Sequence, residues 1–226
     1  MNLSDMNWME VAEYLSKEDR ILLVLGATEQ HGYLSVMTDV AIPLALANSA
    51  SEATGVIVAP PLNFGVSPYF LDYPGTISLR TSTFLDAVED ILRSLHQQGF
   101  RRFVIVNGHG GNDAARGRIT ELSNEFKRIK VAWYSWWIAP SVTEVAEKHG
   151  LRSHHAAWIE AFPFIHVRGM PEGTKETLYA KTLLSSRETR DFAGDGVYGG
   201  PYKVEKEIMD EVYAAALNDI LDLLRF

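Results

Sequence analysis

The chain contains no cysteine, which excludes disulfides and thiolate metal ligands and fits a reducing compartment. It also lacks a basic run. With 21 Lys and Arg against 29 Asp and Glu, a formal charge of −8, nothing is available to neutralise a phosphate backbone, and nucleic acid is not an expected partner. No apolar stretch approaches the roughly 18 residues of a membrane span. The start, Met1 to Trp8, lacks the basic-then-apolar order of a secretory leader. A cytoplasmic location without a membrane partner is the resulting expectation. Repeats, low-complexity tracts and linkers rich in Ser, Pro or Gly are missing too. The 226 residues, 46% of them hydrophobic, are therefore expected to form one domain, residues 1–226, with a sizeable core.

What is present is an alternation. Apolar, β-branched runs at 21–25, 56–59, 103–106 and 131–134 are separated by segments whose apolar spacing suits helices, the pattern of a mostly parallel α/β sheet. In residues 82–98, Phe84, Leu85, Val88, Ile91, Leu92 and Leu95 recur every three or four positions, and Gly99 follows as a stop. Residues 203–224 carry a second stripe and predict a long final helix. The segment 191–201, with Gly194, Gly196, Gly199, Gly200 and Pro201, reads as irregular, a loop placed over a site. The irregular stretch after the second run holds Phe64, Tyr69, Phe70 and Tyr73, more aromatic surface than a solvated loop needs.

Without cysteine, any metal must be held by His, Asp and Glu, and three segments offer them. Glu29 and His31 follow the first apolar run two residues apart, a spacing that points both side chains to one side of an extended segment. Asp39 can join them from the end of the next loop. The third apolar run ends in Asn107-Gly108-His109-Gly110-Gly111-Asn112, whose glycines allow a tight turn and close backbone approach. Loops after parallel strands gather on one edge, so His109 is expected to converge with Glu29, His31 and Asp39. The third segment places His155 in a loop entering a helix and Glu160 on its first turn. Each has a plainer reading alone: a charged pair in a loop, a phosphate-cradling turn, histidines coating a helix. Their ordered co-occurrence favours a site. Trp133, Trp136 and Trp137 read as core residues before substrate contacts, and His96, His149 and His166 have no partner at ligand spacing.

Together these segments resemble the creatininase family of binuclear metal amidohydrolases, whose first motif is Glu-Gln-His-Gly followed by an aspartate. The resemblance takes in Glu29 to Asp39, Tyr73 to Ser78, Asn107 to Asn112, His155 with Glu160, and Gly196-Val197-Tyr198-Gly199. It implies a three-layer α/β sandwich with helices on both faces of the sheet. Glu29, His31, Asp39, His109 and Glu160 become ligands of two divalent ions per chain, Asp39 the bridging carboxylate and His155 the proton-transfer residue. Zn²⁺ comes first, with Mn²⁺ and Fe²⁺ as alternatives. Tyr73, Gly110, Gly111, Asn112 and Trp158 are candidate substrate contacts, and a homo-oligomer, a hexamer in the family, is implied.

Three departures stand out. The stretch between His31 and Asp39 is one residue shorter than the family pattern, the third motif reads His155-Ala156-Ala157-Trp158 before Glu160-Ala161-Phe162, and Gly111 stands where creatininase carries a glutamate. The last argues against creatinine itself. The expected activity is cleavage of a C–N amide bond, in a small cyclic amide or formamide-type metabolite, by a metal-activated hydroxide. The alternatives are a peptidase-like or deformylase member of the family, or a homologue that binds a small molecule and metal without turnover.

Overall fold

The computed structural model describes residues 1–166 and 169–226. Helix α1 (Trp8–Leu15) leads into β1 (Arg20–Leu25), followed by α2 (Thr38–Thr54), β2 (Ile57–Val58) and α3 (Thr81–Gln98). Next come β3 (Arg102–Asn107), α4 (Ala115–Glu125), β4 (Lys130–Ser135) and α5 (Pro140–Lys148). The short strands β5 (Thr174–Lys175) and β6 (Gly200–Pro201) flank α6 (Ser186–Ala193), and α7 (Lys206–Leu223) completes the order. Strands β2-β1-β3-β4 form a parallel sheet in that order, and β5 pairs with β6 antiparallel.

Alternation along each strand explains the layers. On β1 and β3, Leu22, Val24, Val104 and Val106 point to one face and are buried with residues of α2, α5 and α7. Ile21, Leu23, Leu25, Phe103 and Ile105 point to the other, against α3 and α4. Each such buried side chain contributes about 1.5–3 kcal/mol by leaving water. The result is the expected three-layer α/β sandwich, with strand β1 buried from Ile21 to Leu25.

Three local expectations need correction. Residues 191–193 are not loop but the last turn of α6, which starts with a capping box between Ser185 and Glu188, and Gly200–Pro201 pairs as β6. The final helix starts at Lys206 rather than 203, because Glu205 is extended (ψ 145). His155 and Glu160 do not enter an α-helix: Trp158–Glu160 is a single 3₁₀ turn ended by Ala161.

Candidate metal centre

The parallel register pairs Leu25 of β1 with Asn107 of β3, so the loops that follow leave the sheet side by side. Asn112 ties them together, its Nδ2 donating to the Gly26 carbonyl (3.1 Å) and to Asn107 Oδ1 (3.3 Å). From the first loop come Glu29 and His31. The loop then folds back, with Glu29 N–H donating to Val36 O (3.0 Å) and Thr38 N–H to Ser35 O (3.1 Å). The shortened stretch thereby delivers Asp39 to the first turn of α2, where the helix dipole favours a carboxylate.

All five expected ligands are buried, none more than 8% exposed. Asp39 is shared between two triads, Glu29-Asp39-His109 and His31-Asp39-Glu160. Its Oδ1 lies 3.0 Å from His31 Nε2 and its Oδ2 3.0 Å from His109 Nδ1. Glu160 Oε1 completes one triad, 3.6 Å from His31 Nε2, and Glu29 Oε1 the other, 3.4 Å from His109 Nδ1. Glu160 is aimed by its second oxygen, which accepts the Ala156 N–H at 2.6 Å. Ala156 holds a left-handed φ of 59°, a strained conformation of the kind found at functional sites.

Hydrogen bonds on the far side of each ring fix which nitrogen faces inward. His31 Nδ1 lies 3.2 Å from the Glu29 carbonyl, and His109 Nε2 lies 2.9 Å from the Val66 carbonyl. Carbonyl oxygens only accept, so each of those nitrogens keeps its proton, and His31 Nε2 and His109 Nδ1 are the nitrogens that offer a lone pair once the ring is neutral. Glu29 Oε2 is buried without a hydrogen-bond partner, and the nearest partners of His31 Nε2 and Asp39 Oδ2 are the opposing carboxylate and imidazole atoms at 3.0 Å. Unpaired buried polar atoms are costly, and nitrogen and carboxylate oxygen are what a hydrolytic divalent metal takes. The residues fit divalent metal.

The electrostatics agree. Burial alone would lower the pKa of His31, but Asp39 and Glu160 outweigh it and hold the pKa well above the ordinary 6.5. For His109 burial is likewise outweighed, by Glu29 and Asp39. Burial would raise Asp39, yet His31 and His109 pull its carboxyl below the usual range. Three buried carboxylates thus demand positive charge, and among the described residues the His31 and His109 imidazoles stand beside them to supply it.

The centre opens into a cavity of about 430 Å³ lined by Ser67, Tyr69, Phe70, Trp137 and Tyr198 as well as His155. His155 stacks on Phe70 (4.8 Å, 11°) and meets Tyr198 edge-on (5.6 Å, 89°). Burial, then repulsion from His31, push its pKa down to about 4. Of the candidate substrate contacts, Gly110 and Gly111 line the cavity. Tyr73, Asn112 and Trp158 do not. Trp158 is fully buried, its Nε1 donating to the Arg152 carbonyl; Asn112 is the loop tie described above; Tyr73 packs edge-on against Phe70 and beneath Arg190. The aromatic excess around residue 70 was visible in sequence, but which rings reach the cavity depends on the path of the loop. Trp136 is core, and Trp133 donates to Ser135 Oγ. His149 pairs with Glu211 and His96 stacks on Phe126, away from the centre.

The creatininase family profile, described as creatinine amidohydrolase, matches residues 4–224. A stretch of 117 residues, 49% of this chain and 45% of the relative, is 34% identical to the creatinine amidohydrolase of Pseudomonas putida. The chain therefore matches less than half the length of that enzyme. A mycofactocin precursor peptide peptidase of Mycolicibacterium smegmatis is 27% identical over 91% of this chain and 84% of its own. The fold superposes on a solved structure described as "Creatininase Mn" with a TM-score of 0.85, covering 99% of this chain and 97% of the other at 23% identity. On the span of the profile match, the chain belongs to the creatininase family.

Proposed function

We propose that the chain is a divalent-metal-dependent hydrolase that cleaves a C–N amide bond in a small cyclic amide or formamide-type metabolite. The observation that carries this reading is Asp39, whose two oxygens each face one imidazole at 3.0 Å, one in each ligand triad. Glu29, Asp39 and His109 would hold one ion and His31, Asp39 and Glu160 the other, with Zn²⁺ first and Mn²⁺ or Fe²⁺ as alternatives. Bound there, divalent ions supply Lewis acidity and bring the pKa of water toward about 7.

The protein's own groups do the rest. The three carboxylates hold three negative charges in a buried place, so two divalent cations exceed them by one and leave the centre suited to an incoming anion or oxyanion. Phe70, Tyr198 and Trp137 wall the cavity and thin the water around the reacting amide, which strengthens every charge interaction there. His155 is held over the centre by stacking on Phe70, its Nδ1 3.9 Å from Glu29 Oε1. Gly111, in place of a glutamate, leaves the cavity without a fourth acid beside Glu29, Asp39 and Glu160. That favours a substrate other than creatinine.

A peptidase activity is the second reading. It is favoured by the similarity to the mycofactocin precursor peptide peptidase across 91% of this chain and by Ile138, 58% exposed on the cavity rim, where a longer substrate can enter. The test is a screen of cyclic amides, lactams, formamides and short peptides with Zn²⁺- or Mn²⁺-loaded protein. Hydrolysis that a chelator abolishes and added metal restores is the expected result; equal turnover by chelated protein would overturn the reading.

A further inference from the structure

Among the three imidazoles at the centre, His155 is wired in the opposite sense to the two ligands. His31 and His109 each donate outward to a backbone carbonyl and turn the other nitrogen inward, toward the carboxylates. His155 Nε2 instead lies 2.9 Å from Gln30 Nε2, an amide nitrogen that can only donate. The orientation of that amide is fixed from both ends. Gln30 Oε1 accepts the Gly32 N–H at 3.0 Å, and Gln30 Nε2 donates to the Gly196 carbonyl at 3.1 Å. Flipping the amide would set oxygen against oxygen at Gly196 and N–H against N–H at Gly32. One N–H of the amide is therefore spent on Gly196, and the second points at His155.

We propose that Gln30 is a positioning residue that locks His155 as the tautomer with its proton on Nδ1, the nitrogen facing the metal centre. Nε2 of His155 also lies 3.2 Å from the Gln30 carbonyl oxygen, which would accept a proton from the other tautomer. The shorter amide contact decides between them, because an N–H on the ring would meet the amide N–H head on. Two consequences follow. Without a lone pair on Nδ1, His155 cannot join the ligand shell, although it lies within ligand reach of Glu29 and His31. For the same reason it meets the reacting amide through Nδ1–H, as a hydrogen-bond donor to the amide's oxygen or nitrogen. Only this catalytic consequence rests on the hydrolase reading; the tautomer does not.

The test uses protein labelled with ¹⁵N in its histidines and loaded with Zn²⁺, read by long-range ¹H–¹⁵N correlation, with the His155 signals assigned by their loss in His155→Ala. The expected spectrum has a protonated Nδ1 and a bare Nε2 for His155. In Gln30→Glu, a carboxylate that accepts from Nε2–H, the pattern inverts. With ¹¹³Cd²⁺ in place of zinc, His31 and His109 show metal coupling and His155 shows none. A wild-type His155 protonated at Nε2, or coupled to cadmium, overturns the proposal, as does an unchanged pattern in Gln30→Glu. If that variant fails to fold, the wild-type spectra decide alone. None of these readouts needs a substrate, so they stand apart from the activity screen.

Discussion

Gly108 packs against the backbone carbonyl of Asp39 so closely that a methyl group at 108 would overlap the oxygen. That oxygen has no helical partner, because the residue four positions on is Pro43, which lacks an N–H. Helix α2 can therefore bring its first turn directly against the end of β3, and Asp39 reaches both triads. Gly108→Ala is predicted to push α2 away from the sheet edge, costing about 1–3 kcal/mol of stability and lowering metal occupancy. Calorimetric unfolding and elemental analysis of the purified variant check both.

Gly111 faces the Val66 carbonyl and His109 Nε2 with no room for a Cβ. Restoring the glutamate found in creatininase, Gly111→Glu, should displace His109 from its bond to Val66 and weaken the adjoining ion's binding, rather than confer creatinine hydrolysis. Isothermal titration with Zn²⁺ and a creatinine assay on the same preparation measure the two effects.

Proton release accompanies metal uptake. In the metal-free protein the His31 and His109 pKa values are raised, so both rings are protonated near neutral pH. A raised folded-state pKa gives stability that is fully present below the ordinary value of about 6.5 and is lost as pH rises through the folded value. The metal-free protein is thus predicted to lose stability on the alkaline side of neutral, while metal affinity rises over the same range. Thermal unfolding of chelated and loaded protein against pH, with calorimetry in buffers of different ionisation enthalpy, reads both; about two protons displaced per chain is the expected figure.

Trp158 and Trp137 separate packing from substrate contact. Trp158 is fully buried, so Trp158→Ala is predicted to cost about 3–5 kcal/mol of stability. Trp137 is on the cavity wall, and Trp137→Ala should leave the unfolding midpoint close to wild type while raising KM for whichever amide is turned over. Denaturant titration and steady-state kinetics on the pair distinguish the roles.

The sheet was readable because continuous apolar runs such as Phe103 to Val106 face helices on both sides and tolerate little else. Helix α2 was not readable: Val40, Ile42, Leu46, Ala47 and Ala50 bury it broadly, which erases the amphipathic stripe, and Pro43 argues locally against a helix. That Glu29, His31, Asp39 and His109 converge could be expected from sequence because strand ends share one edge, whereas Glu160 and the ligand roles followed from the family resemblance. Their division into two triads could not be expected, since it depends on which oxygen of Asp39 faces which ring. Gln30 was passed over between two ligands, as its role needs Gly196, 166 positions away in the chain. The cavity wall was seen only as an aromatic surplus, because loop paths, not periodicity, select Phe70 over Tyr73.

If Asp39 is shared by two divalent ions, its loss removes both. Elemental analysis of protein saturated with Zn²⁺ and then desalted decides this, comparing wild type with Asp39→Asn. Two ions per chain are expected in the wild type and none in the variant, with the fold retained by circular dichroism. One ion or none in the wild type, or two retained in Asp39→Asn, would refute a shared aspartate.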